Sequence, residues 1–133
     1  MNISIVCKTI FRLYLYADTV KKIHYVAKSN HIHELCDEIR DSIVDFADSF
    51  AEQYFGYSGK PEYKMFPKLN TLDIEETADL KAICEEVISI AEYIKKEVSK
   101  NEKLSGIVSL VDDFKGKFNK YIFLSTFDKF SKG

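Results

Sequence analysis

Three histidines fall between positions 24 and 33, and a run of carboxylates follows them: Glu34, Asp37, Glu38, Asp41, Asp45, Asp48 and Glu52. On a helical wheel with about 100° per residue, His33 at zero puts Asp37 near about 40°, Asp48 near about 60° and Glu52 near about 100°. The apolar stripe of the same segment lies at about 200–300°, so one imidazole and three carboxylates share the face turned away from the chain's own core. Oxygen ligands supplemented by imidazole suit iron. Crowded carboxylates without a cation repel one another and raise their own pKa values, a cost that bound metal removes. The plain alternative is a solvated acidic face. Val44, Ala51 and Phe55 interrupt that face with apolar surface, which favours a helix-helix contact. His24 occupies a slot in the apolar stripe of the preceding segment, one short turn away.

Asp37 and Glu52 stand 15 positions apart, about 22 Å along a helix axis. One helix therefore cannot gather both around a single metal. An antiparallel two-fold dimer can, because it sets the start of one such helix against the end of its mate.

The elements that must position these groups read as all-α. Val6, Ile10, Leu13, Ala17, Val20, His24 and Ala27 make one stripe along a first helix from about Ile3 to Lys28. Asn30 is a good N-cap for a second, about His31 to Phe55, with Leu35, Ile39, Ile43, Phe46, Phe50 and Tyr54 inward and Gly56 as its stop. Residues 57–72 carry glycine, proline and polar residues, a connection. Asp73 with Glu76 resembles a capping box opening a third helix, about Ile74 to Ser99, striped by Leu80, Ile83, Val87, Ile90, Ile94 and Val98. After a polar turn (Lys100 to Lys103), a fourth runs from about Leu104 to Lys129 with Leu104, Val108, Val111, Phe118, Ile122 and Ser125 inward.

Two short turns and one connection of about 16 residues allow helices two and three to lie parallel, since such a connection can span roughly 50 Å. That is the one-crossover, ferritin-like four-helix bundle; an up-down-up-down bundle with a long loop is the other topology.

Composition bounds the rest. With 133 residues, 46% of them hydrophobic, the chain is expected to form a single domain over residues 1–133. A net charge of -2 excludes a strongly basic nucleic-acid binder, so no direct nucleic-acid binding is expected. No apolar run reaches a membrane span, and no secretory leader is read at the N-terminus. Cys7, Cys36 and Cys84 match neither a disulfide framework nor a zinc pattern, so a reducing cytoplasm is the expected compartment and Cys36 reads as core.

At these residues the sequence resembles a known family. His33, Asp37, Asp48 and Glu52 reproduce the H-x3-D-x10-D-x3-E spacing of Dps, the mini-ferritins of starved bacteria, and His24 matches the histidine that precedes this motif. "DSFAEQYFGYSG" (Asp48 to Gly59) is similar to the family's D-x-x-A-E-R-x-x-x-L-G helix end, and "YIFLS" to its W-M-L-x-S. "HYVAKSNHIHEL" is more similar still to small uncharacterised ferritin-like proteins of tailed bacteriophages, which keep a shortened turn between the histidines.

The resemblance implies an intersubunit di-iron site that oxidises iron(II) with peroxide or oxygen. His24, His33 and Asp37 of one subunit would meet Asp48 and Glu52 of its mate; zinc or manganese remain alternatives to iron. Tyr25 stands where the family commonly has tryptophan, as an electron donor or as interface packing. The implied assembly is at least an antiparallel two-fold dimer, with a dodecameric cage as the larger form, in the host cytoplasm if the chain is phage-encoded. His24 and His33 are nine positions apart, three fewer than is usual in Dps, so the turn is tighter. No lysine-rich tail precedes the first helix, and DNA binding is not carried over.

A second reading is a metal-free ferritin-like structural or interaction module, in a phage particle or on a host protein. The aromatic stretch from Phe114 to Phe130 then supplies a partner surface rather than core. Membrane association through that stretch is a third.

Overall fold

The computed structural model describes residues 1–129, with side chains to Phe127, and all regular structure among them is helical. Four α-helices follow in order: α1 (Ile3–Val26), α2 (Asn30–Ser58), α3 (Leu80–Val98) and α4 (Ser105–Ser125). Single 3-10 turns lie at Tyr63–Met65, Leu69–Thr71, Glu102–Leu104 and Thr126–Lys129. No helix of the described residues is long and apolar enough to cross a membrane.

Capping chemistry sets several of these bounds, and it corrects the sequence reading in places. The side chain of Ser29, not Asn30, accepts from the Ile32 amide and opens α2. α2 then runs through Gly56 to Ser58, and Gly59, at φ 89, takes the positive-φ position that ends it. Asp73 and Glu76 do not open α3. Asp79 does, accepting from the amides of Lys81 and Ala82. Residues 73–79 are instead drawn out along α1, where the Tyr16 hydroxyl accepts from the Glu75 amide at 3.2 Å and Lys22 pairs with Glu76 at 3.0 Å. Tertiary contacts outweigh a local helix-start signal here.

Asp79→Ala is expected to cost about 1 kcal/mol in urea unfolding, the usual loss for an N-cap. Asp73→Ala is expected to stay within about 0.5 kcal/mol, as for surface positions without a structural role. Equal losses at both positions would restore the earlier helix start.

Contacts along the helices fix their directions. Ser42 meets Tyr121 at 2.8 Å, Phe46 stacks on Phe114 with ring centres 4.0 Å apart, and Gln53 lies against Gly106. Rising numbers in α2 thus meet falling numbers in α4. α3 and α4 form a hairpin, tied by Lys95 to Asp112 at 2.7 Å. The N-terminal amine reaches Glu97 at 3.7 Å, which places the start of α1 beside the end of α3. α1 is therefore antiparallel to both α2 and α3, and α2 runs parallel to α3. The connection between them travels the length of the helices along α1, touching it at Phe11 through Phe66 (ring centres 5.3 Å apart) and again at Tyr16.

Side chains from all four helices make one continuous buried cluster. The expected stripes of α1 and α2 are buried apart from the half-exposed Ala27. On α3 Ile90 is half-exposed, while Cys84 and Ala91 join the core. α4 differs most: its buried row is Ile107, Val111, Phe114, Phe118 and Tyr121, whereas Val108 and Ile122 flank the core. Two apolar rows lie side by side on this helix, and the large aromatic rings of one fill the centre. Of the aromatic stretch, Phe114, Phe118 and Tyr121 are core, Phe123 and Phe127 are exposed, and Phe130 lies outside the described residues.

Candidate metal centre

Only Ala27, Lys28 and Ser29 separate α1 from α2, so the end of one helix folds directly onto the start of the next. That short turn brings His24 and His33 face to face, their rings stacked with centres 3.7 Å apart and 23° between planes. Each ring hydrogen-bonds the backbone of the other residue. His24 Nδ1 lies 2.7 Å from the carbonyl of His33, and His33 Nδ1 lies 2.8 Å from the carbonyl of His24. A carbonyl only accepts, so both Nδ1 atoms donate, and both neutral rings carry their lone pair on Nε2. Histidines that bind metals commonly have this arrangement, with the far N–H held by a carbonyl and the other nitrogen kept basic.

Asp37, one turn further along α2, joins the pair. Its Oδ1 lies 3.4 Å from His24 Nδ1 and 2.9 Å from Lys21 Nζ. The Lys21 hydrogen bond holds the Asp37 carboxyl below the usual carboxylate range, and His24 adds to this when its ring is protonated. Tyr25 stands at the edge, 73% exposed, with its ring 5.1 Å from that of His24 and the Lys21 ammonium 5.5 Å above it. His31 serves the fold rather than this cluster: its Nε2 donates to the Leu124 carbonyl at 2.9 Å and caps the end of α4.

Asp48 and Glu52 lie elsewhere. Both are exposed on α2, 11 and 15 positions beyond Asp37, or about 16 and 22 Å along the axis. Their charges, after burial, raise the pKa of Tyr14, which marks them as neighbours of the middle of α1. Neither takes part in a hydrogen bond or ion pair among the described residues. Val44, Ala51 and Phe55, spread along the same stretch of α2, are half-buried against the rim of the core.

A single chain thus brings together His24, His33 and Asp37 and leaves Asp48 and Glu52 apart. Among the described residues no three His, Cys, Asp or Glu side chains converge on one metal position. A cavity of about 490 Å3 opens at the same end of the molecule between Ile23, Ile32, Leu80 and Ser125, and none of the five residues lines it. Thiol chemistry is remote, because burial pushes Cys36 up to about 11 and Cys84 up to about 12.

Lys21 escapes sequence reasoning because its role depends on how α1 registers against α2. The available signal was its position one turn before His24, on the same side of the helix.

Among known proteins, the chain aligns with the "Uncharacterized 14.6 kDa protein in mobD-ri intergenic region" of Enterobacteria phage T4. Identity is 32% over 101 residues, 74% of this chain and 72% of the relative. The chain belongs to this phage protein's family. The kinship agrees with the phage part of the resemblance and does not bear on its ferritin part. No family model matches the chain. No solved structure matches it.

Proposed function

We propose that this phage-family chain is a ferritin-like four-helix protein that takes iron(II) as substrate at a site shared by two copies. Oxygen or peroxide accepts the electrons, in the cytoplasm of the infected bacterium. The observation that carries the reading is the mutual histidine clasp: two imidazoles, each with Nδ1–H spent on a carbonyl, keep Nε2 available in the same cluster as Asp37, whose carboxyl lies below the usual carboxylate range. The donor set fits iron, and His24, His33 and Asp37 are half of what a two-metal carboxylate site needs.

The other half is on α2 of a second copy. Asp48 and Glu52 are exposed, one turn apart and unengaged, and the half-buried Val44, Ala51 and Phe55 give the same face an apolar strip for pairing. A two-fold axis across that strip sets the start of one α2 against the end of the other. The parallel course of α2 and α3, with its single long connection, supports the ferritin-like topology. The protein's own residues then have distinct tasks. The carbonyls of His24 and His33 fix the imidazole tautomers, Asp37 supplies negative charge, and Asp48 and Glu52 close the site from the partner. Tyr25 lies near enough to act as an electron donor.

Solution mass measured together with elemental analysis tests this. A dimer, or a larger assembly of dimers up to a twelve-subunit cage, containing iron is expected. A monomer free of iron after incubation with iron(II) overturns it. One observation favours a metal-free interaction module instead: Val26 at 70% and Phe123 at 61% leave bare apolar surface at the end of the molecule. A dimer that binds no metal would select that reading.

A further inference from the structure

At the end of the molecule where α1 turns into α2, the core comes to the surface. Ile23, Ile32 and Leu80 each keep 7% exposure, whereas Val20, Ile39 and Ile83, one or two turns deeper, have none. All three line the cavity of about 490 Å3. A cavity of about 220 Å3 adjoins it, and the two share Ile23, Val26 and Ala78. The apolar floor is therefore the end of the core itself. Lys28 and Lys81 line the larger cavity as exposed side chains, and neither ammonium has a hydrogen bond or ion pair among the described residues. Asp79 is the one carboxylate among the described residues of the lining, and it is turned onto the amides of Lys81 and Ala82. The charge left over in the cavity is thus positive.

We propose that this open end of the bundle binds a medium-length aliphatic carboxylate, its chain against Ile23, Ile32 and Leu80 and its head between Lys28 and Lys81. The volume lies within the range of small-ligand sites, about 300–1,000 Å3. An apolar chain entering it removes its own methylenes and the end of the core from water together. A purely apolar ligand leaves both ammonium groups unpaired, and an inorganic anion leaves the floor wet. One molecule with both characters answers both features. The site is separate from the histidine cluster, which contributes no residue to it.

Calorimetric titration of the full-length protein with octanoate and decanoate, each below micelle formation, tests this. About one molecule per chain is expected, with decanoate about tenfold tighter than octanoate from its two further buried methylenes. Lys28→Glu with Lys81→Glu is expected to weaken decanoate about tenfold and to leave decanol, which has no charge, unchanged. Ala78→Phe, at an exposed position on the wall between the two cavities, is expected to weaken decanoate and decanol alike while keeping the wild-type melting temperature.

No uptake of either acid by wild type overturns the proposal. So does equal binding of decanoate by wild type and the doubly reversed variant, because the lysines then play no part. Unchanged binding by Ala78→Phe places the acids elsewhere and overturns it too. Adsorption to anionic phospholipid vesicles without decanoate uptake assigns this end to a membrane surface, and a solution mass that Ala78→Phe lowers without decanoate uptake assigns it to a second copy. Either result rejects the small-molecule site.

Discussion

Alanine at both Asp48 and Glu52 is expected to lower iron(II) oxidation to the rate of buffer alone while leaving the fold intact. Both side chains are exposed and unengaged, so their loss exposes no orphaned partner. Alanine is also the stronger helix former. Stability should stay within about 0.5 kcal/mol. In the proposed shared site, the double variant removes the carboxylate half, while the histidine half belongs to the other copy.

That division permits a stricter test. A second variant, His33→Ala with Asp37→Ala, is also expected to be inactive. Mixed and allowed to exchange, the two should recover about a quarter of wild-type activity. Half of the pairs are then mixed, and each mixed pair carries one intact site of its two. No recovery in a mixture shown to have exchanged, or unchanged oxidation by the Asp48 and Glu52 variant, rules out a shared site.

The largest stability effect is expected in α4. Phe118 is fully buried, 4.2 Å from Phe114 and 5.2 Å from Tyr121 by ring centres. Phe118→Ala should cost about 3–5 kcal/mol by urea denaturation, the usual loss for a buried phenylalanine that leaves a cavity. Domains of this size commonly have only about 5–15 kcal/mol in total, so the variant should be near its unfolding limit at room temperature. Phe123, in the same helix but 61% exposed, is the control; its alanine variant should lose less than about 1 kcal/mol. Similar losses at both positions would mean that the inward row of α4 is misplaced.

Much of this architecture is legible in the residues: the stripes of α1 and α2 are buried apart from Ala27, and that of α3 apart from Ile90. α4 is less so: Val108 and Ile122 lie beside the true row, and spacing alone does not tell which row the partners will cover. The ends of α2 and α3 are hidden for different reasons. Gly56 and Gly59 both suit a helix end, and only the backbone φ of Gly59 distinguishes them. Asp73 and Glu76 satisfy a capping pattern, yet Tyr16 and Lys22, distant in sequence, hold that segment extended.

The candidate site divides in the same way. The spacing of His24, His33 and Asp37 is enough to suspect them together, because a short turn between two helices leaves few arrangements. The reciprocal carbonyl bonds and Lys21 are invisible to spacing, since they depend on how deeply the two helices interlock.

The three-residue turn between α1 and α2 acts as a ruler for the imidazoles. Each residue inserted there would move and swing the second helix relative to the first, and rings 3.7 Å apart have no slack to absorb it. The length of this turn is therefore part of how the two imidazoles are held rather than a neutral spacer.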